Sequence, residues 1–185
     1  SSPVNLHCIF NPDLAQELET RFFGKLEFDY NGQNYGASHS ELCRLGRAFT
    51  NNSELKDKQA YKEGLQQYVL TIDAIKNVFN KDPELRDNTI IVVSNSSGDG
   101  ASGVVNHSEY FIGKISQMDA TRRAIYQMSD LIFSAKQSDR LYFLGKGVDD
   151  VQTVKRKCGS LMGCIHGSDA HTNKKIFEPD EKRYC

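Results

Sequence analysis

The chain has 185 residues, with 23 Lys and Arg against 24 Asp and Glu, giving a formal net charge of −1. That length fits one domain able to bury a core without staples, and a hydrophobic share of 38% with a mean hydropathy of −0.54 indicates a soluble globular protein. Balanced charge argues against a purely electrostatic nucleic-acid binder, though not against an enzyme that meets nucleic acid through metals, and no run approaches the roughly 18 apolar residues of a membrane span.

Ser1 to Asn5 carries neither an initiator Met nor a basic-then-apolar leader, and the chain reads as a buried strand by Leu6; the expectation is a fragment of a longer protein. The strand Leu6–Phe10 closes at Asn11-Pro12-Asp13. Asp13 then caps a helix to about Phe22, with Leu14, Leu18 and Phe22 four residues apart. Lys25 to Tyr30 alternates and meets Asn31-Gly32, a type I′ turn pair, which predicts a hairpin. Ser40 is the expected cap of a helix over Glu41 to Phe49. A polar loop over Thr50 to Lys58 precedes a short helical piece around Tyr61-Lys62-Glu63, and Tyr68-Val69-Leu70 reads as a weak strand. Thr71 caps a helix over Ile72 to Phe79.

Asn88 to Ser94 is the strongest strand pattern, running into the Gly/Ser-rich stretch up to Gly103. Beyond it the expected elements are a helix over Asp119 to Met128, strands at Leu131–Ser134 and Leu141–Leu144, a helix over Val148 to Lys157 ended by Gly159, and a strand at Met162–His166. Alternating strands and helices predict an α/β protein with a mostly parallel sheet or barrel. Ligands in such folds gather at strand carboxyl ends, which singles out the loops after Phe10, Val93 and His166.

The five cysteines, Cys8, Cys43, Cys158, Cys164 and Cys185, are odd in number, scattered and without a CxxC pair. They form neither a disulfide framework nor a structural zinc site, and read as reduced, mostly buried thiols of a cytoplasmic protein. No Gly-x-Ser-x-Gly elbow or Ser-x-x-Lys marks a nucleophilic serine. The stretch Ser97 to Gly103 lacks the order of a P-loop or a dinucleotide fingerprint; it reads either as a surface loop or as a substrate loop, with Asp99 a further candidate ligand. Lys174, Lys175, Lys182 and Arg183 read either as phosphate contacts or as a solvated face balanced by Glu178, Asp180 and Glu181.

In His166-Gly167-Ser168-Asp169-Ala170-His171, an extended backbone turns Asp169 and His171 to one side. They are either a carboxylate–imidazole metal pair, suited to Zn, Mn or Fe, or a helix-capping Asp with an exposed His. Taken alone, His7 in an apolar strand reads as a core residue. His166, Asn95 and Asp99 are candidates for supporting or substrate-loop roles.

Gly167 to His171 after an apolar strand, together with Leu6 to Asp13, Arg44 to Phe49, Asn95 to Gly103 and Cys164 to His171, resembles the PHP (polymerase and histidinol phosphatase) superfamily, in particular its TrlF-type subgroup, where the PHP domain precedes an SMC-like ATPase. The resemblance implies a partial distorted (β/α)₇ barrel, with residues 1–185 a single PHP-like domain cut at both ends. It implies a metal-dependent phosphoesterase with His7, Asp169 and His171 as ligands of divalent Zn, Mn or Fe. The implied partners are a phosphate-ester substrate, such as a nucleotide or nucleic acid, and the ATPase domain of the same polypeptide.

Two departures stand beside the matches. The opening His-x-His and the Glu before the His7 strand are absent from these residues, and Ser94-Asn95 stands where many members carry a His. The expectation is therefore an isolated chain that binds metal weakly and turns over phosphoesters poorly or not at all. The alternative is a non-catalytic module that docks or regulates an ATPase or a nucleic-acid-processing partner. A plain sugar- or nucleotide-binding α/β domain is a third reading.

Overall fold

A computed structural model describes residues 4–95 and 117–166. Asp99, Asp169, His171 and the lysines beyond them lie outside these residues. The chain divides into two compact units, Phe10–Thr89 and a second made of Ser1–Ile9 with Ile90–Cys185. Among the described residues no helix is long and apolar enough to cross a membrane.

Within Phe10–Thr89, the helix expected over Asp13 to Phe22 is broken into a 3-10 turn at Pro12–Leu14 and a short α1 at Leu18–Arg21. Leu14 and Phe22 are its buried anchors, and the residues between them settle into i→i+3 bonds such as Ala15 N–H to Pro12 O. The hairpin forms as expected, β2 (Glu27–Tyr30) pairing antiparallel with β3 (Gln33–Gly36). Its turn residues Asn31 and Gly32 have φ of 53° and 74°, the left-handed pair a type I′ turn requires.

Helix α2 (His39–Thr50) is capped by Ser38, which accepts from Glu41 N–H, and not by Ser40. Ser38 has a glutamate three residues on, the spacing of a capping box, and the Glu41 carboxylate also takes Gly36 N–H at 3.4 Å. Helix α3 (Asp57–Gln67) is much longer than its apolar content suggested. Its contact residues are Ala60 and Gly64, small groups four apart that let the backbones of α2 and α3 touch. Tyr68–Leu70 is no strand. It links α3 to α4 (Ile72–Lys81), and the Tyr68 hydroxyl donates to Leu26 O at 3.0 Å. Thr71 caps α4 as expected, accepting from Ala74 N–H. The short α5 (Pro83–Asp87) starts on Asp82, whose carboxylate is also gripped by Arg21 at 2.7 and 2.8 Å.

The second unit is built on a sheet of order β1-β4-β5-β6, with β1 at Leu6–Phe10, β4 at Thr89–Ser94, β5 at Leu131–Phe133 and β6 at Gly163–Ile165. Strands β4, β5 and β6 are parallel, Ser94, Phe133 and Ile165 standing side by side. Strand β1 is antiparallel to them, because Ser94 N–H bonds Asn5 O and Asn11 N–H bonds Asn88 O. That register sets His7 across from Val92 and Ile9 across from Ile90. The sheet is mostly parallel, but it closes into no barrel among the described residues.

Among the described residues the unit also holds helices α6 (Gln117–Met128), α7 (Gln137–Phe143) and α8 (Val151–Cys158). The strand expected at Leu141–Leu144 is instead the end of α7. Asp139, Tyr142 and Phe143 turn inward at helical spacing while Leu141 and Leu144 face out, so the apolar run belongs to a helix face. Tyr126 and Phe143 meet edge to face at 5.3 Å over a core of Ile91, Val93 and Ile132.

Candidate functional site

The carboxyl ends of β4, β5 and β6 form one rim, tied by Asn95 N–H to Phe133 O at 3.0 Å and Ser134 N–H to Ile165 O at 2.9 Å. The antiparallel β1 begins at this same rim, and so brings His7 to it. Alternation along the strands sorts the rim side chains onto two faces. His7, Ser94 and Phe133 share one face, with the His7 and Phe133 rings 5.7 Å apart. His7 is exposed, and among the described residues its ring nitrogens have no hydrogen-bond partner. Val92 and Ser94 on this face are buried, at 1% and 7% exposure, while Ile9 and Ile90 farther along it are 50% and 46% exposed.

The opposite face is covered by helices and holds a buried polar network. Asp139 Oδ2 accepts from Asn95 Nδ2 at 2.7 Å and from the Ser134 hydroxyl at 2.6 Å. Asn95 Oδ1 accepts from the Tyr126 hydroxyl at 3.2 Å, and Ser134 Oγ accepts from Lys136 N–H at 3.2 Å. Asn95, Tyr126, Ser134 and Asp139 are all buried. Burial pushes the Tyr126 phenol far above its ordinary range. It also pushes the Cys164 thiol up to about 11, with Asp139 adding to the effect, and the Cys158 thiol up to about 12. Neither thiol is a thiolate nucleophile near neutral pH.

Of the three expected metal ligands, His7 alone falls on described residues. Asn95 lies on the helix-covered face, away from His7, with its amide committed to Asp139 and Tyr126. His166 directly follows β6, half-buried, with Nδ1 shielded from solvent. Among the described residues, no three His, Cys, Asp or Glu side chains stand close enough to hold a metal.

Sequence reasoning missed Asp139 and Tyr126. Asp139 had a signal, its spacing of three and four from Tyr142 and Phe143, hidden once that run was read as a strand. A second buried cluster also went unread: Lys157 Nζ and the Tyr142 hydroxyl converge on Asp149 Oδ2 at 2.7 and 2.8 Å. It closes the turn between α7 and α8, away from the strand carboxyl ends. In the Phe10–Thr89 unit a cleft of about 910 Å³ is lined by Arg21, Lys25, Glu27, Phe28, Asp73 and Lys81 among others. Compared with protein-family models, curated proteins and solved structures, the chain shows no match.

Proposed function

We propose that the chain is part of a PHP-type, metal-dependent phosphoesterase in a cytoplasmic protein whose full polypeptide carries an SMC-like ATPase. The observation that carries this reading is the place of His7: at the rim where the parallel strands end, its ring beside Phe133 and its ring nitrogens without a hydrogen-bond partner among the described residues. In α/β folds ligands gather at the carboxyl ends of the parallel strands, and His7 stands at that end of the sheet. Strand β6 ends at the same rim, and Asp169 and His171 follow its last residue by four and six positions in the sequence. Two imidazoles and a carboxylate are a donor set for Zn, Mn or Fe, and a divalent ion held there would polarise a phosphoryl oxygen and acidify a bound water.

The role of this chain's own residues is to ligate and orient. His7 would approach from the strand and Asp169 and His171 from the segment after β6, leaving an open coordination position for a phosphate ester. The reading is tested by elemental analysis of the purified protein with and without Asp169→Ala, alongside Mn²⁺- or Zn²⁺-dependent hydrolysis of an aryl phosphate. Metal retained by the native chain and lost in Asp169→Ala is the expected result; equal metal content in both contradicts it.

One observation favours a second reading, a non-catalytic docking module for an ATPase. The Asn95 amide, standing where a ligand His is found in the family it resembles, is consumed by the buried network. A native chain without metal affinity would support that reading.

A further inference from the structure

We infer that the cleft in the Phe10–Thr89 unit binds a short extended peptide, with its free carboxylate at the Lys81 end and its free amino group at the Asp73 end. Every residue lining the cleft lies in that unit, so the inference rests neither on a metal nor on the phosphoesterase reading. The volume of about 910 Å³ falls within the range typical of small-ligand sites, about 300–1,000 Å³.

Helix α4 forms one wall. Asp73, Asn77 and Lys81 recur at intervals of four and share one stripe of the helix. That stripe has an acid at its start and a cation at its end, about 12 Å apart at 1.5 Å per residue. The other wall is the segment from Arg21 to Asp29, and its direction is fixed at both ends. Arg21 grips Asp82 and the Phe22 ring meets Phe79 at 5.5 Å, whereas the Phe28 ring stands 5.7 Å from Tyr68, just before the Thr71 cap. The segment therefore runs antiparallel to α4, and its charges follow the same order: Arg21 and Lys25 first, then Glu27 and Asp29. Asp73 and Lys81 alone would be accounted for by the helix dipole. No such dipole sorts Lys25, Glu27 and Asp29, yet both walls put cations toward one end and carboxylates toward the other.

These charges differ in their freedom to meet a ligand. Arg21 is spent on Asp82, Glu17 and Glu84, and Asp29 accepts from Gly32 N–H. Lys25, Lys81, Glu27 and Asp73 are exposed, and among the described residues their side chains make no hydrogen bond or ion pair. The cleft also presents Phe28, Val69 and Val78, with Val69 58% exposed, apolar surface that a ligand would take out of water. A ligand that satisfies both ends needs an anion and a cation about 12 Å apart, with apolar groups between them. An extended chain rises about 3.3 Å per residue, so a peptide of three or four residues with both termini free has that span. A single amino acid is too short, and a nucleotide brings no cation to the acidic end.

The test is a calorimetric titration of the full chain with the tetrapeptide Ala-Leu-Leu-Ala, either free, acetylated at its amino end or amidated at its carboxyl end. The free peptide is expected to bind, and each cap to weaken binding about fivefold, the upper worth of one exposed ion pair. Lys81→Ala is expected to weaken binding of the free peptide to a similar degree and to leave the amidated peptide unaffected. Asp73→Asn is expected to weaken the free peptide likewise and to leave the acetylated one unaffected. Both side chains are exposed, so neither change opens the core. Three results would overturn the inference: no saturation by the free peptide at millimolar concentration, equal binding of free and capped peptides, or losses in the two variants that ignore which end is capped. Succinate or a linear diamine binding as tightly as the peptide would overturn it too, since each satisfies one end alone.

Discussion

Gly46 and Gly64 show how much a missing methyl group decides. A Cβ on Gly46 would stand 1.9 Å from Ala60 O, and one on Gly64 would stand 1.8 Å from Leu42 O. Both neighbours are helix backbone, which cannot yield without moving α2 off α3. Gly46→Ala and Gly64→Ala are each expected to destabilise the Phe10–Thr89 unit by about 3 kcal/mol, the upper range for overpacking, read as a fall in urea midpoint. Gly32 differs: a Cβ there would meet nothing within 4 Å, but its φ is +74°. Gly32→Ala is expected to cost about 1–2 kcal/mol through backbone strain alone. A larger loss at Gly32 than at Gly46 would contradict the close helix approach.

At the scale of elements, Ser38 and Ser40 make a paired test of the α2 cap. Ser38→Ala is expected to lower stability by about 1 kcal/mol and Ser40→Ala by a few tenths at most, measured by thermal melts of the two variants. The contrast also marks what the sequence made legible. Elements whose signal is local were readable: the Asn31-Gly32 turn, the Thr71 cap, the apolar Ile90 to Val93 run, and the stop at Gly159, which adopts φ +88°. Elements whose signal is tertiary were not. Helix α3 is held by Ala60 and Gly64 against another backbone, so its sequence shows no apolar stripe. Helix α7 hides in Leu141 to Leu144 because a short apolar run does not reveal its period. At the site, His7 was readable as a residue, while its rim position depends on β1 running antiparallel. The Asp139 network joins residues 31 and 44 positions apart, and no local pattern announces it.

Across the molecule, buried acids that stay protonated set the response to alkali. In the sheet unit burial holds the Cys158 thiol up to about 12, from an ordinary 9, and the Cys164 thiol up to about 11. It raises Tyr126 and Tyr142 as well. In the Phe10–Thr89 unit Tyr68 is raised to about 12. The unfolded chain surrenders its thiol protons near pH 9 while the folded chain keeps them, so this stability is whole below about pH 9 and drains away between about 9 and 12. A denaturant midpoint in reducing buffer is therefore expected to be clearly lower at about pH 10.5 than at about pH 8; equal midpoints would contradict the burial. At the acid end, Arg21 beside Asp82 and Arg44 beside Glu41 hold those carboxyls below their usual range. Their contribution is lost as pH falls through the depressed values.

The central proposal is that His7 and His171 would ligate one metal ion. Histidine-selective NMR of the labelled chain during a Mn²⁺ titration tests it most directly. The account predicts that both imidazole signals broaden at the same metal concentration and that Asp169→Ala abolishes the broadening of both. A His7 signal that stays sharp while His171 broadens would contradict it.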